Sequence, residues 1–184
     1  MRRLEREPLF ETPAGFDEPL EMLLGCHRRI QKQLETLKRL RTHLETHPVD
    51  AQASIAAQNV LRYFTSAAQD HHADEEQDLF PLLEARIDDA GEKARFAAFR
   101  ARLETDHRAL EAAWTRLRRP LEAIAEGLPR SLPSAEAQAF IDAYANHILT
   151  EENALKEFFD RWLGDDDRRV LGHAMAARRR RPAP

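Results

Sequence analysis

The chain has 184 residues, 42% hydrophobic and 33% charged, with one cysteine and a formal net charge of −4. This is one ordinary domain, long enough to bury a core without disulfides. The lone cysteine excludes an intramolecular disulfide or a thiolate cluster, and the acidic balance excludes the broad basic field that holds proteins on nucleic acid. No stretch approaches the roughly 18 apolar residues of a membrane span. A reducing, cytoplasmic setting is expected, with no nucleic acid and no membrane as partner. Ala, Leu, Arg and Glu dominate over only 6 Gly, which favours an all-α fold.

Residues 1–16 carry Pro8, Pro13 and Gly15 without sustained periodicity and read as an N-terminal arm that packs through Phe10 and Phe16. Charges and prolines stand where a signal peptide needs an apolar run. From Asp17 to Thr46, Leu20, Leu23, Leu24, His27, Ile30, Leu34 and Leu37 recur at three and four residues and predict a first helix. His47-Pro48-Val49-Asp50 breaks it, and Asp50 is placed to cap the next. The second helix runs to Ile87 with Phe64, Ala67, Ala68, His71, Glu75, Leu79 and Leu82 inward, and Pro81 predicts a kink after that point. A turn over 88–91 leads to a third helix from Glu92, whose face reads Phe96, Phe99, Leu103, His107, Leu110, Glu111, Trp114 and Leu117. Pro120 either kinks this helix or ends it before a short helix to Glu126.

The segment 127–133 is a connection, and a fourth helix from Ser134 to Leu163 aligns Phe140, Ala143, Tyr144, His147, Glu151, Ala154, Leu155 and Phe158, with Gly164 as its stop. Four long amphipathic segments with short turns predict an up-down-up-down four-helix bundle over 17–164. Residues 165–184 segregate Asp165–Asp167 from Arg178–Arg181 and read as a charged, solvated C-terminal tail with one short helix between the charge runs.

Each apolar stripe is interrupted near its middle by a histidine: His27, His71, His107 and His147. Three of these have glutamate four residues later, Glu75, Glu111 and Glu151. Residues four apart are about 40° apart around a helix and about 6 Å along it, so both side chains reach one centre. A lone inward histidine is ordinarily a hydrogen-bonded core residue, but four aligned ones with three carboxylates need positive charge among them. Two divalent ions bring about four positive charges, and carboxylates bridge metals about 3.5 to 4 Å apart. A dinuclear site is therefore expected on His27, His71, Glu75, His107, Glu111, His147 and Glu151. Nitrogen and oxygen ligands suit iron, manganese or zinc alike.

His72 and Glu76 share the spacing but lie about 100° further round and read as outer or surface residues. Glu152 and Tyr144 are candidates to support the ligands. His43, His47 and His173 lie outside the constellation, and Cys26 reads as a small buried residue.

The segment His71-His72-Ala73-Asp74-Glu75-Glu76-Gln77-Asp78-Leu79-Phe80-Pro81, with His27, His107 and His147-Ile148-Leu149-Thr150-Glu151-Glu152, resembles hemerythrin-like proteins, the HHE cation-binding domains. The resemblance covers roughly residues 17–163. It implies a non-haem di-iron centre, oxo- or hydroxo-bridged, with His27 and His71 on one iron, His107 and His147 on the other, and Glu75 and Glu151 bridging. It also implies an open position on the iron held by His27 and His71. Glu111 stands where hemerythrins proper have a second histidine, and the fourth helix carries HxxxE instead of a longer spacing to aspartate. A third carboxylate favours oxidised metal, which argues against reversible O2 carriage. Ferritin-like enzymes instead use Glu-x-x-His at three-residue spacing.

The function this supports is a soluble module that binds or senses O2 or NO, or answers iron and oxidative or nitrosative stress, acting through an unidentified protein partner. The alternative is a di-iron redox enzyme that reduces O2 or peroxide or oxidises Fe(II). A metal-free structural bundle is the third reading.

Overall fold

The computed structural model describes residue 15 and residues 17–180; the expected packing of Phe10 and Phe16 lies outside the described residues. The first helix, α1 (Pro19–Thr46), opens with proline in its first turn, where a missing N–H breaks no helical bond. It stops at His47, whose extended backbone (φ −128°, ψ 147°) is what the following Pro48 demands. Asp50 then caps α2 (Ala51–Phe64) as predicted, accepting a 2.8 Å hydrogen bond from Ala53 N–H.

The second rod is not the single helix expected. The hydroxyls of Thr65 and Ser66 donate back to the carbonyls of Leu61 and Arg62, competing with the helical ladder. The rod restarts as α3 (Ala67–Ala73), widens into a π-helical turn over Asp74–Leu79, and resumes as α4 (Phe80–Arg86). At the end of the π turn the N–H of Phe80 reaches back to Glu75 O. Pro81 supplies the reason: it has no N–H to give and its ring crowds the preceding turn, so the ladder changes register upstream of it. The disturbance thus lies before the proline, not after it.

Asp89 caps α5 (Ala90–Ala125) by accepting from Glu92 N–H at 2.8 Å, and the helix runs through Pro120 without ending. It closes on Gly127 at φ 76°, where Leu128 N–H bonds Ala123 O at 2.9 Å; this left-handed turn is the reason for glycine. The last rod is α6 (Ser134–Trp162). α1 packs on α2 and α6, and α5 packs on the same two, closing the ring of a four-helix bundle.

The charged end of the chain is not a solvated tail through residue 179. Asp165–Arg179 form α7, with three aspartates in its first turn and Arg178 and Arg179 in its last, each charge at the pole that favours it. Leu171 and Met175 are buried in the core, and α7 lies against α1 and the π turn.

Two apolar clusters fill the bundle. One includes Ile30, Phe64, Leu110, Trp114 and Phe140; the other includes Leu23, Phe80, Leu103, Leu155 and Phe158. Each side chain of this size contributes about 1.5–3 kcal/mol when fully buried. On α1, Leu23 and Ile30 flank His27; on α5, Leu103 and Leu110 flank His107. The polar belt therefore lies between the two clusters, sealed above and below.

Candidate metal centre

Among the described residues the buried polar or charged side chains are His27, His71, Asp74, Glu75, His107, His147 and Glu151. Their ligand atoms gather in two groups. His27, His71, Glu75 and Glu151 each offer an atom within 4.8 Å of the others, and His72, His107 and His147 do the same. Two carboxylates span the groups. Glu75 places Oε1 3.1 Å from His71 Nε2 and Oε2 3.2 Å from His107 Nε2. Glu151 places Oε2 3.2 Å from His27 Nε2 and 3.4 Å from His147 Nε2.

The outward ring nitrogens are held by further carboxylates. His27 Nδ1 is 2.9 Å from Glu152 Oε1, and His107 Nδ1 is 2.6 Å from Glu76 Oε1. His147 Nδ1 lies 3.8 Å from Asp106 Oδ2, a looser approach. A proton on Nδ1 shared with carboxylate leaves the Nε2 lone pair pointing into the bundle, the tautomer that binds metal. Glu76 and Glu152 each follow an inward glutamate, so the doublets Glu75-Glu76 and Glu151-Glu152 divide into an inner and an outer member. Asp106 went unnoticed in the sequence because it belongs to no histidine spacing.

The donor set suits a cation. The close contacts between these atoms lack hydrogen-bond geometry, so the Nε2 atoms of His27, His71, His107 and His147 and both oxygens of Glu75 and Glu151 are buried without a hydrogen-bond partner. Such groups are costly unless something satisfies them. Burial depresses the imidazole pKa of His71, and burial with the neighbouring His107 and His147 depresses that of His72. Burial likewise brings His147 down to about 4. Burial also opposes charge on His27, but its contact with Glu151 and the nearby carboxylates outweigh this and lift it to about 9. Burial and the charge of Glu151 push Glu75 well above the usual carboxylate range, while contact with His27 outweighs burial and holds Glu151 below it. Two buried carboxylates that titrate apart in this way both ionise when cations lie between them.

Glu111 is not brought to this centre: it is exposed. The inward stripe of α5 steps from Leu103 to His107, Leu110 and Trp114, so the next inward position after His107 is Leu110, and Glu111 falls to one side. His72 moves the other way. Read as an outer residue in the sequence, it joins His107 and His147, with its ring stacked on His107 at 3.9 Å and its Nε2 3.3 Å from Tyr144 Oη. Its adjacency to His71 was the available signal. Cys26 is buried as expected.

An all-α bundle with a buried histidine and carboxylate belt defines a metal-binding helical protein. The profile of the Hemerythrin HHE cation binding domain matches residues 18–159, and the chain belongs to that family. An uncharacterized protein of Haemophilus influenzae is 31% identical over 173 residues, 90% of this chain and 92% of its own length.

Proposed function

We propose that the chain holds two iron ions and binds a small diatomic ligand, O2 or NO, as a sensing or stress-response module. His27 and His71 would hold one ion and His72, His107 and His147 the other, with Glu75 and Glu151 between them. The observation that carries this reading is the span of Glu75 from His71 to His107. Nitrogen and oxygen ligands without thiolate are compatible with iron, and the family resemblance is what implies iron over manganese or zinc. Bound iron supplies Lewis acidity, one-electron redox chemistry and a coordination position for the diatomic ligand.

The protein's own contribution is electrostatic and steric. Glu76 and Glu152 orient His107 and His27, and the apolar clusters close the belt above and below. No helix among the described residues is long and apolar enough to cross a membrane, and a reducing, cytoplasmic setting suits the single buried thiol. A di-iron redox enzyme is the second reading, favoured by a cavity that reaches His72 and His107.

The test is elemental analysis of the purified protein, with absorption spectra before and after anaerobic reduction and re-exposure to air. Close to two irons per chain with reversible charge-transfer bands is expected; one zinc, or no metal in a folded protein, rejects the reading. Joint His71→Leu and Glu75→Leu substitution is expected to abolish metal and to stabilise the metal-free bundle by about 1–4 kcal/mol.

A further inference from the structure

Beside the belt, a cavity of about 360 Å³ opens between the second rod and α5. A diatomic ligand needs little more than the roughly 30 Å³ share of one water. This cavity is an order larger, within the roughly 300–1,000 Å³ of small-molecule sites. Its floor is aromatic: the Phe64 ring lies 5.2 Å from those of Trp114 and Phe140 and 5.4 Å from Tyr144, all four lining the void. Such a surface favours a flat ring over an aliphatic chain. One side is formed by His72 and His107.

The rim carries both signs of charge. Arg108 and Glu111, one turn apart on α5, line the cavity and are exposed, and neither forms an ion pair with any described residue. Glu76 also lines it, but its carboxylate is engaged by His107 at 2.6 Å. Arg108 donates from Nη2 to Thr105 Oγ1 at 3.0 Å, which leaves its charge unmatched by any described carboxylate. An apolar aromatic floor below a cation and an anion without ion-pair partners among the described residues matches a zwitterion with an aromatic side chain.

We propose that this cavity binds an aromatic α-amino acid, with its ring on the Phe64, Trp114, Phe140 and Tyr144 floor, its carboxylate at Arg108 and its ammonium at Glu111. The site itself needs no metal; its functional meaning rests on the di-iron reading. It brings an organic molecule to the His72–His107 side of the centre, whereas the family resemblance puts the open position on the His27–His71 side. Glu111, unused by the belt, acquires a role at the rim.

The test is calorimetric titration of the full-length protein, as purified with its metal, using L-phenylalanine as probe. Phenethylamine lacks the carboxylate, 3-phenylpropionate lacks the ammonium, and L-alanine lacks the ring. Saturable binding of L-phenylalanine in the millimolar range or tighter is expected. Each one-charge analogue should bind about twofold to fivefold more weakly, the scale of a single exposed ion pair, and alanine should not bind. Arg108→Gln should erase the difference between L-phenylalanine and phenethylamine, and Glu111→Gln that between L-phenylalanine and 3-phenylpropionate.

Absence of saturable binding, or binding blind to both charges, overturns the proposal, as does loss of metal in Glu111→Gln. Metal content is measured on the same samples. Binding in a protein that holds no metal upholds the cavity and rejects the di-iron reading, whereas two irons without binding reject the cavity alone.

Discussion

Asp74 Oδ1 accepts a 2.9 Å hydrogen bond from Nε of Arg178, a residue 104 positions away in the chain. Arg179 donates to Oδ2 of the same carboxylate at 2.6 Å, and Arg178 also reaches Asp78 and Gln77. Asp74 is fully buried in the π turn, adjacent to Glu75. The last turn of α7 thus clamps the π turn that carries Glu75, an inward carboxylate of the belt.

In Asp74→Ala the arginines lose charge-assisted hydrogen bonds to a buried carboxylate, while Arg178 keeps Asp78 and Gln77 and both guanidinium groups retain some exposure. The substitution should lower the free energy of unfolding in urea by about 1.5–3 kcal/mol, the scale of a hydrogen bond to a charged group. A loss under about 1 kcal/mol, the range of surface pairs, would show that α7 does not depend on the clamp.

Glu76 and Glu152 act on histidines, not on the centre itself. Their side chains are part-exposed, at 40% and 39%, so Glu76→Gln and Glu152→Gln should fold normally. Orienting carboxylates of this kind are worth about 10–100-fold in metal affinity. Competition against a chelator should show that loss in each variant, and unchanged affinity would mean that the Nδ1 contacts do not tune the site.

Asp50 offers a pH test remote from the belt. The N–H of Ala53 holds its carboxyl below the ordinary value of 3.8; slight burial opposes this, and contact with His43 adds to the lowering. The folded carboxyl therefore takes up its proton at lower pH than the unfolded one. The stabilisation is complete above the unfolded value and disappears as pH falls through the folded one. Asn caps a helix as Asp does but carries no charge. Asp50→Asn should therefore melt below the wild type at neutral pH and with it in strong acid. A gap that persists in acid would deny the charge any part in the cap.

The helices were legible because an amphipathic helix writes its buried face into the chain every three or four residues. His27, His71, His107 and His147 stood out as polar residues on those faces, and the structure brings all four together. The spacing of four drew in Glu75, Glu111 and Glu151 alike. Only Glu75 and Glu151 turn inward, because the same step of about 40° lands on or off a face according to where its stripe is centred. His72 joins the centre for a related reason: an angle of about 100° on one helix says nothing of the facing helices, and α5 and α6 supply the two histidines it meets.

The π turn and α7 belong wholly to tertiary structure. Pro81 announced a disturbance, but its direction depends on which carbonyls the packed rod can leave to other partners. An acidic start and a basic end read equally well as a solvated tail, until the buried Asp74 supplies the arginines with a destination. By itself the sequence determined four amphipathic rods and the histidines on their inner faces, because period and polarity are properties of one helix. The tertiary structure decided which carboxylates share the centre, where the cavity opens and what α7 holds, because those depend on distances between helices, which no spacing along one of them encodes.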